Sequence, residues 1–220
     1  VQVLDQVRSS DIDWGDFDND GDLDLALMGQ VPGQRVTKVY RNDGGTLVEE
    51  TAFALTAADN GDLAWGDVDN DGELDLAVTG QISNTGQTAF TLYRNDPVGT
   101  LTKDADVTVI GLVAGAIDWG DYDGDGDLDL AVNGFDIAGN ALITRVYDND
   151  GTGLLTDSAQ SISGTAGADL AWGDFDNDGD LDLAILGSSA AGPALELYRN
   201  QNGVLTLEPI DVMQGVDFGA

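Results

Sequence analysis

Apolar and polar positions follow one pattern that is written four times along the chain. Each copy opens on a short alternating stretch ending in an aromatic residue and Gly-Asp: IDWGD from Ile12, LAWGD from Leu63, IDWGD from Ile117 and LAWGD from Leu170. The residue two before each Trp is apolar and the one between varies, which is the period-two signature of a half-buried strand. All four Trp (Trp14, Trp65, Trp119, Trp172) occupy this one position. After an acidic decapeptide comes a near-continuous apolar run closing on Gly: LDLALMG to Gly29, LDLAVTG to Gly80, LDLAVNG to Gly134 and LDLAILG to Gly187. Such a run predicts a strand buried on both faces. A polar, variable segment reads as a hairpin loop. A third apolar stretch then ends in Tyr and a turn: VYRNDGG at Val39, LYRNDPVG at Leu92, VYDNDG at Val146 and LYRNQNG at Leu197. Asn-Asp and Asn-Gln beside Gly are turn chemistry. A fourth short strand (TLVEE, TLTKD, LLTDS, VLTLE) and a variable linker complete the unit.

No helical periodicity of useful length occurs. Four short antiparallel strands make one propeller blade, so the expected fold is all-β: a propeller-type array of four-stranded antiparallel blades, four blades plus part of a fifth. A single domain over residues 1–220 is expected, with repeats near 11–57, 58–110, 111–163 and 164–212, and 213–220 as a spare first strand. A flat blade cannot bury both faces alone, and Trp is the expected filler between neighbours. VQV at the N-terminus stands where a fourth strand belongs. VDFGA at residues 216–220 stands where the next first strand belongs, with Phe218 in the Trp position. Three architectures follow: a closed four-bladed ring, part of a longer propeller, or pairing with another copy.

The acidic decapeptides carry the chemistry. They read DFDNDGDLDL at Asp16, DVDNDGELDL at Asp67, DYDGDGDLDL at Asp121 and DFDNDGDLDL at Asp174, with starts 51, 54 and 53 residues apart. Acids fall at positions 1, 3, 5, 7 and 9 around a Gly at position 6. Alternate carboxylates on a short loop suit a hard cation that takes six to eight oxygens, and the Gly permits the sharp turn. In the first copy, side-chain oxygens are expected from Asp16, Asp18, Asp20 and Asp24. Asp22 would give its backbone carbonyl, so Glu73 at the same position of the second copy is tolerated. An EF-hand needs a bidentate Glu at position 12, whereas that position here holds Leu27, Val78, Val132 and Ile185. Calcium is favoured over magnesium, which keeps several waters, and zinc is poorly served without Cys or His. The competing reading is four solvated acidic turns.

Composition narrows the partners. Forty-one acidic against 8 basic residues give a net charge of −33. Four divalent cations would leave −25, so nucleic acid and anionic membrane surfaces are unsuitable. The absence of Cys removes disulfide and thiol chemistry. No apolar run approaches the length of a transmembrane helix, so no membrane insertion is expected. No signal peptide is visible and the chain starts at Val1, which reads as a processed or excised segment. Loops of this kind bind calcium at about 0.1–1 mM, an extracellular concentration. An extracellular or cell-surface location is therefore expected.

The D-x-D-x-D-G-x-x-D-L loop lies between an aromatic-Gly strand and an L-h-h-x-G strand, where h is apolar. With the following Y-x-N-D/Q-G and L/F-T, the chain resembles the FG-GAP/VCBS repeat family, which includes the calcium-loop blades of integrin alpha-chain propellers. The resemblance spans nearly the whole chain. It implies a β-propeller with a calcium in the loop joining strands 1 and 2 of each blade, about four ions in all. The implied ligands are Asp16, Asp18, Asp20, Asp22 and Asp24, then Asp67, Asp69, Asp71, Glu73 and Asp75. The third and fourth sets are Asp121, Asp123, Asp125, Asp127 and Asp129, and Asp174, Asp176, Asp178, Asp180 and Asp182. Family propellers usually have about seven blades; four are counted here.

Function is less determined, because fold does not fix it. The leading expectation is a calcium-binding structural, adhesion or interaction module for a protein or glycan ligand on a surface. A lectin-like propeller is the alternative, using Tyr40, Tyr93, Tyr147 and Tyr198 near Arg41, Arg94 and Arg199. A packing role for those Tyr is the stronger reading. A third possibility is a self-assembling subunit that uses its terminal strands. Catalysis is not expected: without His or Cys the Ser-His, Cys-His and His-metal arrangements are excluded. No carboxylate outside the loops stands out as a tuned acid or base.

Overall fold

The computed structural model describes residues 4–209, and these contain strands and turns but no helix. The spare first strand expected at residues 213–220, and VQV at the N-terminus, lie outside the described residues. Sixteen strands form four four-stranded sheets, each antiparallel and in chain order. The first blade is β1 (Arg8–Gly15), β2 (Asp24–Val31), β3 (Gln34–Asn42) and β4 (Leu47–Glu50). The second is β5 (Asp59–Gly66), β6 (Asp75–Gln81), β7 (Thr88–Arg94) and β8 (Thr102–Lys103). The third is β9 (Ile117–Gly120), β10 (Asp129–Asp136), β11 (Ala141–Asn149) and β12 (Leu155–Asp157). The fourth is β13 (Ala166–Gly173), β14 (Asp182–Ser189), β15 (Gly192–Asn200) and β16 (Leu205–Glu208). The chain is thus an all-β array of propeller-like blades.

Register follows the alternation. Trp14 lies opposite Leu25, and Leu25 opposite Tyr40, so these three share one face of the first blade. Ala26 and Met28 point to the other face and enter the core shared with the second blade, together with Phe17, Leu63, Trp65 and Tyr93. Equivalent cores lie between the second and third blades and between the third and fourth. The first strands extend further back than the Trp stretch suggests. In β1, β5 and β13 the pairing continues through a register shift, between Arg8 and Asp11, Asp59 and Asp62, and Ala166 and Asp169. The shift contains a residue in the left-handed region: Ser9, Asn60 or Gly167.

The three junctions share one packing contact. The Trp of one blade seats on the Gly after the Trp of the blade before. A Cβ on Gly15 would lie 2.8 Å from Trp65, one on Gly66 2.9 Å from Trp119, and one on Gly120 2.7 Å from Trp172. Only Gly permits that approach. Trp65 stacks on Phe17 at 5.8 Å, and Trp172 on Tyr122 at 5.5 Å. Carboxylates on the first strands cross to the next blade's backbone. Asp13 accepts from Trp65 N (3.0 Å), Asp62 from Ile117 N (2.8 Å) and Asp118 from Trp172 N (3.1 Å).

The second strands β2, β6 and β10 are buried on both faces, as expected, but β14 is not: Leu186 is 60% exposed. No described blade covers its outer face. The repeated Tyr are core residues. All four are buried, and the hydroxyls of Tyr93, Tyr147 and Tyr198 accept from Thr56 N, Ile110 N and Ser163 N in the linker entering each blade. They offer no aromatic surface to a sugar.

Candidate metal centre

Each acidic loop joins the first strand of a blade to the second, and position 9 is the first residue of that second strand. The backbone explains the loop sequence. Position 4 adopts a left-handed φ, at Asn19, Asn70, Gly124 and Asn177, and so does the Gly at position 6. Asn and Gly tolerate that region best. Position 1 fastens the turn. Asp16 accepts from Asp20 N and Gly21 N, each at 3.0 Å, and Asp67 and Asp174 repeat the arrangement.

Position 9 is buried in all four loops, at Asp24, Asp75, Asp129 and Asp182. One oxygen of Asp24 accepts from Phe17 N (3.1 Å) and the other from Asn42 N (2.7 Å). The pairs Val68/Asn95, Tyr122/Asn149 and Phe175/Asn200 do the same for the other three. These Asn were read from the sequence as turn residues only. Their side chains also reach the previous loop: Asn95 donates to the Phe17 carbonyl (2.6 Å), Asn149 to that of Val68 (2.7 Å) and Asn200 to that of Tyr122 (2.5 Å). Their fixed place two residues after Tyr was the available signal.

Carboxylate oxygens converge within 4.8 Å of one another in every loop: Asp16, Asp18 and Asp24; Asp67, Asp69 and Asp71; Asp121, Asp123 and Asp129; Asp174, Asp176 and Asp182. The remaining acids stand apart from these groups. Asp20, Asp125 and Asp178 at position 5 cap the backbone N–H of position 7. Asp75 accepts instead from its two backbone donors and from Arg94. The position 7 side chains of Asp22, Glu73, Asp127 and Asp180 are outside the groups.

The donor set suits a hard divalent cation, being all oxygen and anionic. One oxygen each of Asp18 and Asp69 is buried with no hydrogen-bond partner among the described residues. A buried carboxylate oxygen without a donor is costly, and a cation would satisfy it. Electrostatics agree. Burial pushes Asp75 up to about 6 and Asp129 up to about 7. Burial, with the neighbouring loop carboxylates, also raises Asp18, Asp69 and Asp123. Negative charge is thus held in the first three loops at a cost that a divalent ion offsets.

The loops are not equivalent. Arg94 lies 3.3 Å from both Asp69 and Asp75, and Arg199 pairs with Asp176. In the third blade Asp148 replaces this Arg and accepts from the Tyr122 hydroxyl (2.6 Å). Neighbouring loops are also joined: Asn19 donates to the Gly72 carbonyl (3.2 Å) and Asn70 to Asp127 (2.7 Å).

This combination of stacked blades and one acidic loop per blade defines a repeat module of the propeller type. Residues 16–78 and 137–185, half of the chain, match the family described as FG-GAP-like repeat. The chain belongs to that family. No curated protein matches it. FG-GAP repeats as a class build interaction modules rather than catalytic ones, and are typically extracellular. Among the described residues, no helix is long and apolar enough to cross a membrane.

Proposed function

We propose that this chain is a calcium-stabilised extracellular module for structure, adhesion or interaction, with one calcium in each of its four loops. The observation that carries the reading is the repeated convergence of carboxylates on one point, with oxygens of Asp18 and Asp69 buried without a donor. Position 1 of each loop, with positions 3 and 9 in loops 1, 3 and 4 and positions 3 and 5 in loop 2, supplies side-chain oxygens. Position 7 supplies backbone oxygen. Calcium is preferred to magnesium because the donors are many and mostly from the protein. The ions rigidify one rim of the array, where Asn19 and Asn70 already join adjacent loops. That rim is the surface offered to a protein or glycan ligand. Extracellular calcium is high enough to fill sites of this class.

Calorimetric titration of chelator-treated protein with calcium tests the reading. Uptake of about four ions per chain is expected, one for each carboxylate group, with magnesium binding more weakly. Asp16→Asn should remove one ion and leave the others. Absence of uptake would overturn the proposal.

A further inference from the structure

The three junctions inside the chain have two complementary halves, and each end of the described array presents one half uncovered. The fourth blade carries the accepting half. A Cβ on Gly173 would meet nothing within 4 Å among the described residues, although Gly15, Gly66 and Gly120 each hold a Trp there. Ala171, Ala184, Leu186 and Leu195 line a shallow apolar groove beside it. The first blade carries the inserting half. Ile12 is 54% and Trp14 50% exposed, whereas Trp65 is buried.

The two halves also match in phase. Junctions alternate between two kinds, because the first strands alternate between IDWG and LAWG. The second-to-third junction sets an LAWG strand, with Asp62 three residues before its Trp, against an IDWG strand. There Asp62 accepts from Ile117 N, and Asn149 donates to the carbonyl at loop position 2. The fourth blade is again LAWG, with Asp169 three residues before Trp172, and the first is again IDWG. Joining them would place Ile12 N at Asp169, Trp14 over Gly173 and Asn42 at the Phe175 carbonyl. These three contacts of the internal junction then have their counterparts, while Leu186 stands where Thr79 hydrogen-bonds Leu112.

We infer that the outer face of the fourth blade docks the first blade of a second copy of this chain, head to tail. A second copy brings the whole inserting half on one blade. The contact is heterologous, so it closes into a ring or extends into a chain of copies.

The test is light-scattering mass across a concentration series in calcium, with the chain and two variants. Trp14→Ala removes the inserting ring. Gly173→Leu fills the notch on an exposed strand, at a residue without a left-handed φ. The wild type is expected at a multiple of its 22.9 kDa. Each variant alone should be a monomer with the circular dichroism of the wild type. An equimolar mixture of the two retains one sound junction and should stop at a 1:1 dimer. A wild type that is monomeric at every concentration would overturn the inference and leave the face to residues 210–220 or to a further blade. Association that survives both substitutions would also overturn it.

Discussion

Met28 and Leu186 occupy the same place in the first and fourth blades, yet Met28 is fully buried and Leu186 is 60% exposed. Phe17 and Phe175 differ in the same way: one lies under Trp65, and the other carries the Arg199 guanidinium 4.9 Å above its ring. The strands and their register are alike in both blades. What differs is that a following blade is present for the first and, among the described residues, not for the fourth. Burial in this fold therefore belongs to the junction and not to the blade, as in other arrays where each repeat contacts only its neighbours.

Truncation of the two positions should break the symmetry most strongly. Met28→Ala leaves a cavity between two blades and should cost about 2–5 kcal/mol in denaturant unfolding. Leu186→Ala, measured on dilute protein, should stay within about 0.5 kcal/mol. Equal costs at the two sites would mean that the fourth blade is covered after all.

The pH dependence sharpens the comparison more gently. Asp62 lies inside a junction, and burial pushes it up to about 9, with the adjacent Asp11 carboxyl adding to the shift. The folded state then keeps a proton that the unfolded chain, at about pKa 3.9, releases. The stability contributed by this group is complete below about pH 4 and is lost as pH rises toward 9. Asp62→Asn does not titrate. Its stability relative to wild type should rise across that range, by at most about 1.4 kcal/mol per pH unit. Urea melts at several pH values in EDTA would measure it, and parallel curves would contradict the burial argument.

The strands and loops were legible because their signals are local. Alternation before each Trp, an apolar run after each loop and a Tyr-ended third strand reappear as paired strands. Gly at position 6, and Asn or Gly at position 4, are the residues that a left-handed turn selects. The rest depended on contacts distant in sequence. The backward extension of β1 requires a left-handed φ at Ser9, a residue that gives no such hint. Asp13 and Asp118 sit at a position that looked merely variable and Asp62 just before the Trp stretch, because their acceptor role appears only when the next blade's backbone arrives. Asn95, Asn149 and Asn200 announced a turn and concealed a tether to a loop about 80 residues earlier.

Thermal unfolding with calcium and with EDTA tests the central claim, that the four loops hold cations and that these stabilise the array. At calcium ten times the dissociation constant each site contributes about 1.4 kcal/mol, and four contribute about 6 kcal/mol. EDTA should therefore lower the melting temperature by roughly 10–20 °C, and calcium should restore it better than magnesium. An unchanged melting temperature would mean that the loops are acidic turns held by Asp16 and Asp24 and their counterparts alone.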